Sequence, residues 1–295
     1  RKAGINMKPV KLAYSKIQNA GDLLNEYIFE RVFQVPYVRS TEIWEYEVTG
    51  IGSFLDVLFI KNELTKRNLK KSFQSLYKRN CETVCVTWGT GIIDESSDKA
   101  KRLARNKVEF MAVRGLKSKQ CLERILKTQI NPVLGDGGIL ASMLLEKIPQ
   151  KKYSLSVIPH FREKNCKEIS YIVNKYPDVH VIDMQNDVIK VITEIAESEM
   201  ILSSSLHGLI IADAFRIPNK RIYFTEAPLG SGIKFDDYYS AYGVMAPAHR
   251  IKSVEDVPEK NHILDSYFIS DAMVSKMQKD MYHCMNQYLK NRAIK

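Results

Sequence analysis

Met200-Ile201-Leu202-Ser203-Ser204-Ser205-Leu206-His207-Gly208-Leu209-Ile210-Ile211-Ala212-Asp213-Ala214 is an apolar run that stops at three serines and restarts with helical spacing. Ile195, Met200, Ile201 and Leu202 read as a short buried strand with its approach. Leu209, Ile210, Ala212, Ala214 and Phe215 suit the first turns of a buried helix. A strand-to-helix turn gathers unpaired backbone N–H groups and the positive helix end at one point, which suits a phosphate or carboxylate. His207 stands beside that point as a donor or proton shuttle near neutral pH. The plainer reading is a serine N-cap followed by a core histidine. The rest of the chain decides between them.

Strands and helices alternate on both sides of this turn. Before it come strands at Val10–Tyr14, Glu47–Ser53, Thr83–Trp88, Val108–Val113 and Pro132–Leu134, with helices at Leu23–Phe33 and about Ser118–Lys127. After Pro149-Gln150-Lys151-Lys152 the series restarts. Strands follow at Tyr153–Ile158, Val179–Asp183 and Arg221–Phe224, with helices at Cys166–Lys175 and Asp187–Glu197. Two βα series predict an α/β protein of two Rossmann-like domains with parallel sheets, residues 1–148 and 149–269. A long amphipathic helix, residues 270–295, is free to pack back onto the first domain. At 295 residues the chain accommodates two domains of roughly 150 residues.

Composition narrows the class. Hydrophobic content of 45% is that of a soluble globular protein. No apolar run reaches the roughly 20 residues of a membrane span. Arg1-Lys2-Ala3-Gly4-Ile5-Asn6 lacks the apolar core of a signal peptide, so a cytoplasmic location is expected. Five scattered cysteines complete no zinc site and read as reduced thiols; no metal is expected. The net charge of +10 comes without a nucleic-acid-binding motif, so a nucleic-acid partner is not expected. Solvated helix faces, an anionic substrate, or a peripheral hold on an acidic membrane surface account for it.

Ligands of open parallel sheets bind beyond the carboxyl ends of the strands. Polar, glycine-containing turns follow the apolar strands here: Asn19-Ala20-Gly21-Asp22, Gly50-Ile51-Gly52-Ser53, Gly89-Thr90-Gly91, Arg114-Gly115, Gly135-Asp136-Gly137-Gly138, and the turns at His160 and Ser203–Gly208. They predict a cleft between the two domains. None is a dinucleotide fingerprint or a Walker loop.

Several of these turns resemble the motifs of the polysaccharide pyruvyl transferase family, in the family's order. They are Asn19-Ala20-Gly21-Asp22-Leu23-Leu24-Asn25, Trp88-Gly89-Thr90-Gly91, Val113-Arg114-Gly115 with Ser118, and Leu134-Gly135-Asp136-Gly137-Gly138. Ser204-Ser205-Leu206-His207-Gly208 with Ala212 and Pro218 follows, then Lys234-Phe235-Asp236-Asp237-Tyr238-Tyr239, similar to a block of the exopolysaccharide ketal branch. The resemblance implies a GT-B-like fold and transfer of pyruvate from phosphoenolpyruvate to two sugar hydroxyls as a cyclic ketal. Phosphoenolpyruvate is then a donor substrate, and no cofactor is implied. The acceptor is a sugar of a polysaccharide or a lipid-linked precursor, and the basic surface is compatible with work at the inner face of the membrane. Many relatives carry arginine where this chain has Ser205; Arg114, Arg162, Arg221 or Lys234 would supply the missing cation.

On that reading His207, Asp22 and Asp136 are the catalytic candidates: His207 as phosphate donor or general acid, the two aspartates for orienting or deprotonating the acceptor. Arg114, Ser204, Ser205 and Lys234 are the anion ligands, and Gly21, Gly89, Thr90, Gly137 and His160 complete the substrate site. The plainer readings are helix caps for the aspartates, an ion pair for Arg114 and a turn residue for His160. Two other functions stay open: a GT-B glycosyltransferase using a nucleotide sugar, and a non-catalytic binding protein with a degenerate site.

Overall fold

The computed structural model describes residues 8–61, 64–93, 95–225 and 232–294. The leader reading on residues 1–6 lies outside them. The first half runs β1 (Val10–Ala13), α1 (Ala20–Tyr27), β2 (Tyr37–Arg39), β3 (Val48–Thr49), β4 (Phe59–Lys61), α2 (Lys66–Lys78), β5 (Cys85–Thr87), β6 (Ala100–Leu103), β7 (Val108–Glu109), β8 (Ala112–Val113), α3 (Leu116–Leu126) and β9 (Val133–Leu134). The second half runs β10 (Ser156–Ile158), α4 (Ile169–Lys175), β11 (His180–Val181), α5 (Val188–Ala196), β12 (Ile201–Ser203), α6 (Leu206–Ala214), β13 (Asn219–Tyr223), α7 (Ile233–Ser240), β14 (His249–Arg250), α8 (Lys260–Asp265) and α9 (Asp271–Ile294).

Each half holds a five-stranded sheet, ordered β2-β1-β3-β5-β7 and β11-β10-β12-β13-β14. All pairings in both are parallel. Parallel strands carry helices on their faces and are buried on both sides, hence unbroken buried runs such as Leu155–Ile158, in which even Ser156 is inaccessible. The expected α/β class with parallel sheets is therefore present.

Local chemistry sets the helix starts. Asn19 accepts from the Gly21 N–H at 3.0 Å and opens α1. Asp187 accepts from Ile189 and Lys190 and opens α5. The helix expected over Leu23–Phe33 begins at Ala20 and passes into one wide turn, Ile28–Val32, where the Phe33 N–H reaches the Ile28 carbonyl. Pro36 follows and blocks its continuation. The single strand expected over Val108–Val113 is two: Val108–Glu109 pairs with β5, Ala112–Val113 with β9. An antiparallel pair, β4 with β6, and α2 between them interrupt the first series.

Between the sheets lies α6, buried almost all round, as its uniform apolar composition requires. It packs on a tight helical segment, Gly137–Leu144, which the Asp136 carboxylate caps through the Gly138 N–H at 2.8 Å. α9 buries Val274, Met277, Met281, Met285 and Leu289 in the same apolar cluster that holds Val10, Leu12 and Trp88. Its backbone accepts the Trp88 indole N–H at 3.0 Å, from Met281. Among the described residues the five cysteines form no disulfide. Among the described residues no helix is long and apolar enough to cross a membrane.

Candidate active site

A cavity of about 490 Å³ opens where the carboxyl ends of strands from both sheets face one another. Its walls include Asp22 at the start of α1, Arg114 after β8, His160 after β10, and Ser205 and His207 around the start of α6. Lys234, in the first turn of α7, lies on the same wall.

The three serines divide their work. Ser203 Oγ accepts from the Ser205 N–H at 3.0 Å and lies within bonding distance of the Ile158 and Ser205 carbonyls. Ser204 Oγ accepts from the His160 N–H at 2.8 Å and ties the two turns together. Ser205 occupies the N-cap position, yet its hydroxyl caps nothing in α6 and lines the cavity. The first N–H groups of α6 are thus left without a side-chain cap beside the cavity.

His207 is held by contact rather than by hydrogen bonds. Its ring lies against Gly21 so closely that a β-carbon on Gly21 would come within 2.0 Å of Nδ1. Only glycine at that point lets α1 and α6 approach. Its Nε2 is buried and has no hydrogen-bond partner among the described residues.

The charges are coupled. Burial lifts the Asp22 carboxyl to about 7, against the pull of Lys234 and with a push from Asp136. Burial lowers His207 to about 3, with help from Lys234, Arg114 and His160, so the imidazole is neutral at pH 7. His160 falls to about 4 through burial, Lys234 and Arg162. Lys234 falls to about 8, from burial and Arg114, with Asp22 opposing. Among the described residues Lys234 makes no ion pair.

Arg114 lines the cavity but is heavily engaged. It is fully buried, and its Nε pairs with Asp237 at 3.1 Å. Nη1 donates to Ser53 at 2.8 Å and Nη2 to the Ile92 carbonyl. The Asp237 carboxylate also accepts from the Ser118 N–H and hydroxyl, at 2.8 and 2.6 Å. Arg221 pairs with Asp236 at 3.0 Å and does not line the cavity, whereas Arg162 does.

The other candidates stand behind the wall. Asp136 is fully buried at its cap, with Oδ2 unpartnered; burial raises its carboxyl to about 6 against the Gly138 N–H. Thr90 bonds the Gly52 carbonyl and the Phe54 N–H, both at 3.0 Å. Gly89, at φ +74°, lets the Gly137 backbone approach, and Gly137 lies against Trp88. None of Ser204, Gly21, Gly89, Thr90, Asp136 and Gly137 lines the cavity, and each shapes or braces its wall.

Sequence reasoning missed the far wall. Lys61, Arg67 and Lys71 line it, with Asp56, which pairs with Lys61 at 2.7 Å. Six basic side chains therefore face two carboxylates, Asp22 and Asp56, around the described cavity. The signal was there: residues 66–78 carry five lysines and arginines and no acid. A positive, partly dry pocket with uncapped N–H groups favours an anion with more than one charged group.

The comparisons return the family that the motifs resemble. A family model described as polysaccharide pyruvyl transferase matches residues 19–219, more than half of the chain. The succinoglycan biosynthesis protein ExoV of Rhizobium meliloti (strain 1021) is 28% identical over 79% of this chain and 64% of its own length. An uncharacterized protein, L143, of Acanthamoeba polyphaga mimivirus is 32% identical over 54% of this chain and 55% of its own. The chain thus spans between about half and just under two thirds of these relatives.

Proposed function

Since the chain belongs to the polysaccharide pyruvyl transferase family, we propose that its cavity binds phosphoenolpyruvate and transfers the pyruvyl group to two hydroxyls of a sugar. The product is a cyclic ketal on a polysaccharide or its precursor. One observation carries the reading: Asp22, His207 and Lys234 meet in a single basic cavity beside the uncapped start of α6.

Phosphoenolpyruvate brings a carboxylate and a phosphate. Lys234 and Arg162 face those charges, and the Ser205 hydroxyl with the first N–H groups of α6 adds neutral donors. Arg114 contributes field and shape, its N–H groups being held by Asp237, Ser53 and Ile92. His207, neutral because it is buried, donates from Nε2 to a phosphate oxygen.

Asp22 carries the proton. A carboxyl near 7 is half protonated at neutral pH, suited to both giving and taking. It protonates the methylene carbon, which becomes the methyl group, and C2 becomes an oxocarbenium centre. The first sugar hydroxyl attacks C2 and returns its proton to Asp22. The C2–O bond to phosphate breaks, and the second hydroxyl closes the ring. Its proton leaves with the phosphate, so donor and diol yield ketal and inorganic phosphate. Asp136 acts as a positioning residue at the cap beside Arg114.

We read the two sheets as Rossmann-like domains, 1–148 and 149–269, in a GT-B-like arrangement with the cavity between them. The two parallel sheets and the position of the cavity at their strand ends support this division. The terminal helix, bound to Trp88, belongs with the first domain.

The test is a thermal-shift titration with phosphoenolpyruvate and a panel of nucleotide sugars, on wild type and His207→Ala. A ligand that binds only the folded state raises the midpoint. A shift with phosphoenolpyruvate that His207→Ala loses is expected. A shift with a nucleotide sugar alone refutes the donor assignment and favours glycosyl transfer.

A further inference from the structure

α2 is turned inside out. The helix directs Asn68 and Ser75 into the protein, and exposes its apolar side chains. Leu69, Phe73, Leu76 and Tyr77 recur at helical spacing on one face and are between 54% and 67% exposed. Leu64, just before the helix, is 93% exposed. A helix that folds against a core by burying its apolar stripe does the opposite.

Its inward contacts are polar. Ser75 Oγ donates to the Ala104 carbonyl at 2.8 Å, and Lys71 Nζ donates to the Phe59 carbonyl at 2.8 Å. Among the described residues the apolar face is therefore free of the fold that holds the helix. Lys66 and Lys70 lie beside the apolar stripe on the same exposed side, with Lys78 further round. No acidic residue lies within the helix. Arg67, Asn68 and Lys71, on one flank, line the active-site cavity.

We propose that α2 docks this protein onto an anionic lipid surface. Leu69, Phe73, Leu76 and Tyr77 enter the boundary between headgroups and acyl chains, while the lysines reach lipid phosphates. Charge complementarity selects this occupant over a second copy of the chain. Pairing α2 with α2 would set two helices that each carry five lysines and arginines and no acid against one another, in a protein of net charge +10. Docking sets the cavity mouth at the surface, within reach of a substrate held there. This inference is independent of the identity of the pyruvyl donor.

The test is co-sedimentation of the full chain with vesicles of phosphatidylcholine alone, and with vesicles of phosphatidylcholine and phosphatidylglycerol in roughly equal parts. The chain pellets with the anionic vesicles, and less as salt rises. Phe73→Ser with Leu76→Ser weakens partitioning by about tenfold or more, at an unchanged Tm because both sites are exposed. Lys66→Glu with Lys70→Glu weakens it by at least about fivefold and flattens the salt dependence. The proposal is overturned if wild type stays in solution with both vesicle types, or if the apolar double variant pellets like wild type. A concentration-dependent dimer that the apolar variant abolishes, without vesicle binding, assigns the face to a second copy and also overturns it.

Discussion

Gly21→Ala is the smallest change that reaches His207. The new methyl would lie 2.0 Å from Nδ1, 2.2 Å from Cγ and 2.5 Å from Cβ of His207. Ordinary contact needs about 3.5 Å. A ring rotation removes the first two clashes but not the third, because Cβ is fixed to the α6 backbone. The helices α1 and α6 must therefore separate by about 1 Å, at an overpacking cost of about 1–3 kcal/mol. Alanine returns up to about 1 kcal/mol as a better helix former than glycine. The net loss is at most about 3 kcal/mol, a fall in Tm of no more than roughly 12 °C. The larger effect is on the site. On the proposed donor assignment, moving Nε2 by 1 Å forfeits a charge-assisted hydrogen bond of about 1.5–3 kcal/mol, or about 10- to 100-fold in phosphoenolpyruvate affinity. Isothermal titration reads the affinity and calorimetry reads the Tm. In the His207→Ala background the same change should have little further effect on affinity, since the ring is gone. Wild-type affinity in Gly21→Ala, or equal losses in both backgrounds, would refute the reasoning.

Two further outcomes are expected. Asp237→Asn leaves the buried Arg114 without its counter-charge; the loss is about 3–5 kcal/mol, or roughly 10 °C in Tm, and a loss under about 1 kcal/mol would count against the pair. Asp22→Asn changes stability with pH: burial raises the folded carboxyl to about 7, so the wild type is relatively stabilised below its unfolded value near 4 and loses that stability as pH rises through 7. The variant should therefore gain on wild type across that window in urea unfolding, and a constant difference from pH 4 to 8 would show that Asp22 titrates normally.

Much of this was legible from residue patterns. Parallel strands are buried on both faces, so β1, β5, β10 and β12 announce themselves through clustered apolar residues such as Val10, Leu12, Val86, Val157, Ile158, Ile201 and Leu202. Asp187 and Asn19 announce helix starts by capping chemistry. Ser205 and His207 could be placed at one turn because strand and helix periods meet there. What patterns conceal is pairing over long separations. Asp237 holds Arg114 across more than 100 residues, and nothing local distinguishes it from Asp236, which faces outward to Arg221. The mutual fit of Gly21 and His207 is likewise a property of two helices, not of either motif. The two pieces of the strand expected at 108–113 part because each meets a different neighbour, the second in a more buried place. In α2 the apolar period was present but its direction was not, since only the packed structure says which face of a helix is turned in.

The position of α9 in the chain order has a consequence for biogenesis. Met277, Met281, Met285 and Leu289 complete an apolar cluster whose other members include Val10, Leu12 and Trp88. Arg292 bonds the carbonyls of Lys8 and Pro9 and pairs with Glu47 at 3.1 Å. During synthesis the first sheet emerges more than 150 residues before the helix that covers it. Until the ribosome delivers that helix, the nascent first half presents an oily seam around Trp88, a binding site for chaperones in the interval. A premature stop before α9 would leave that seam permanently open, and its product would be a substrate for quality control rather than a shorter folded protein.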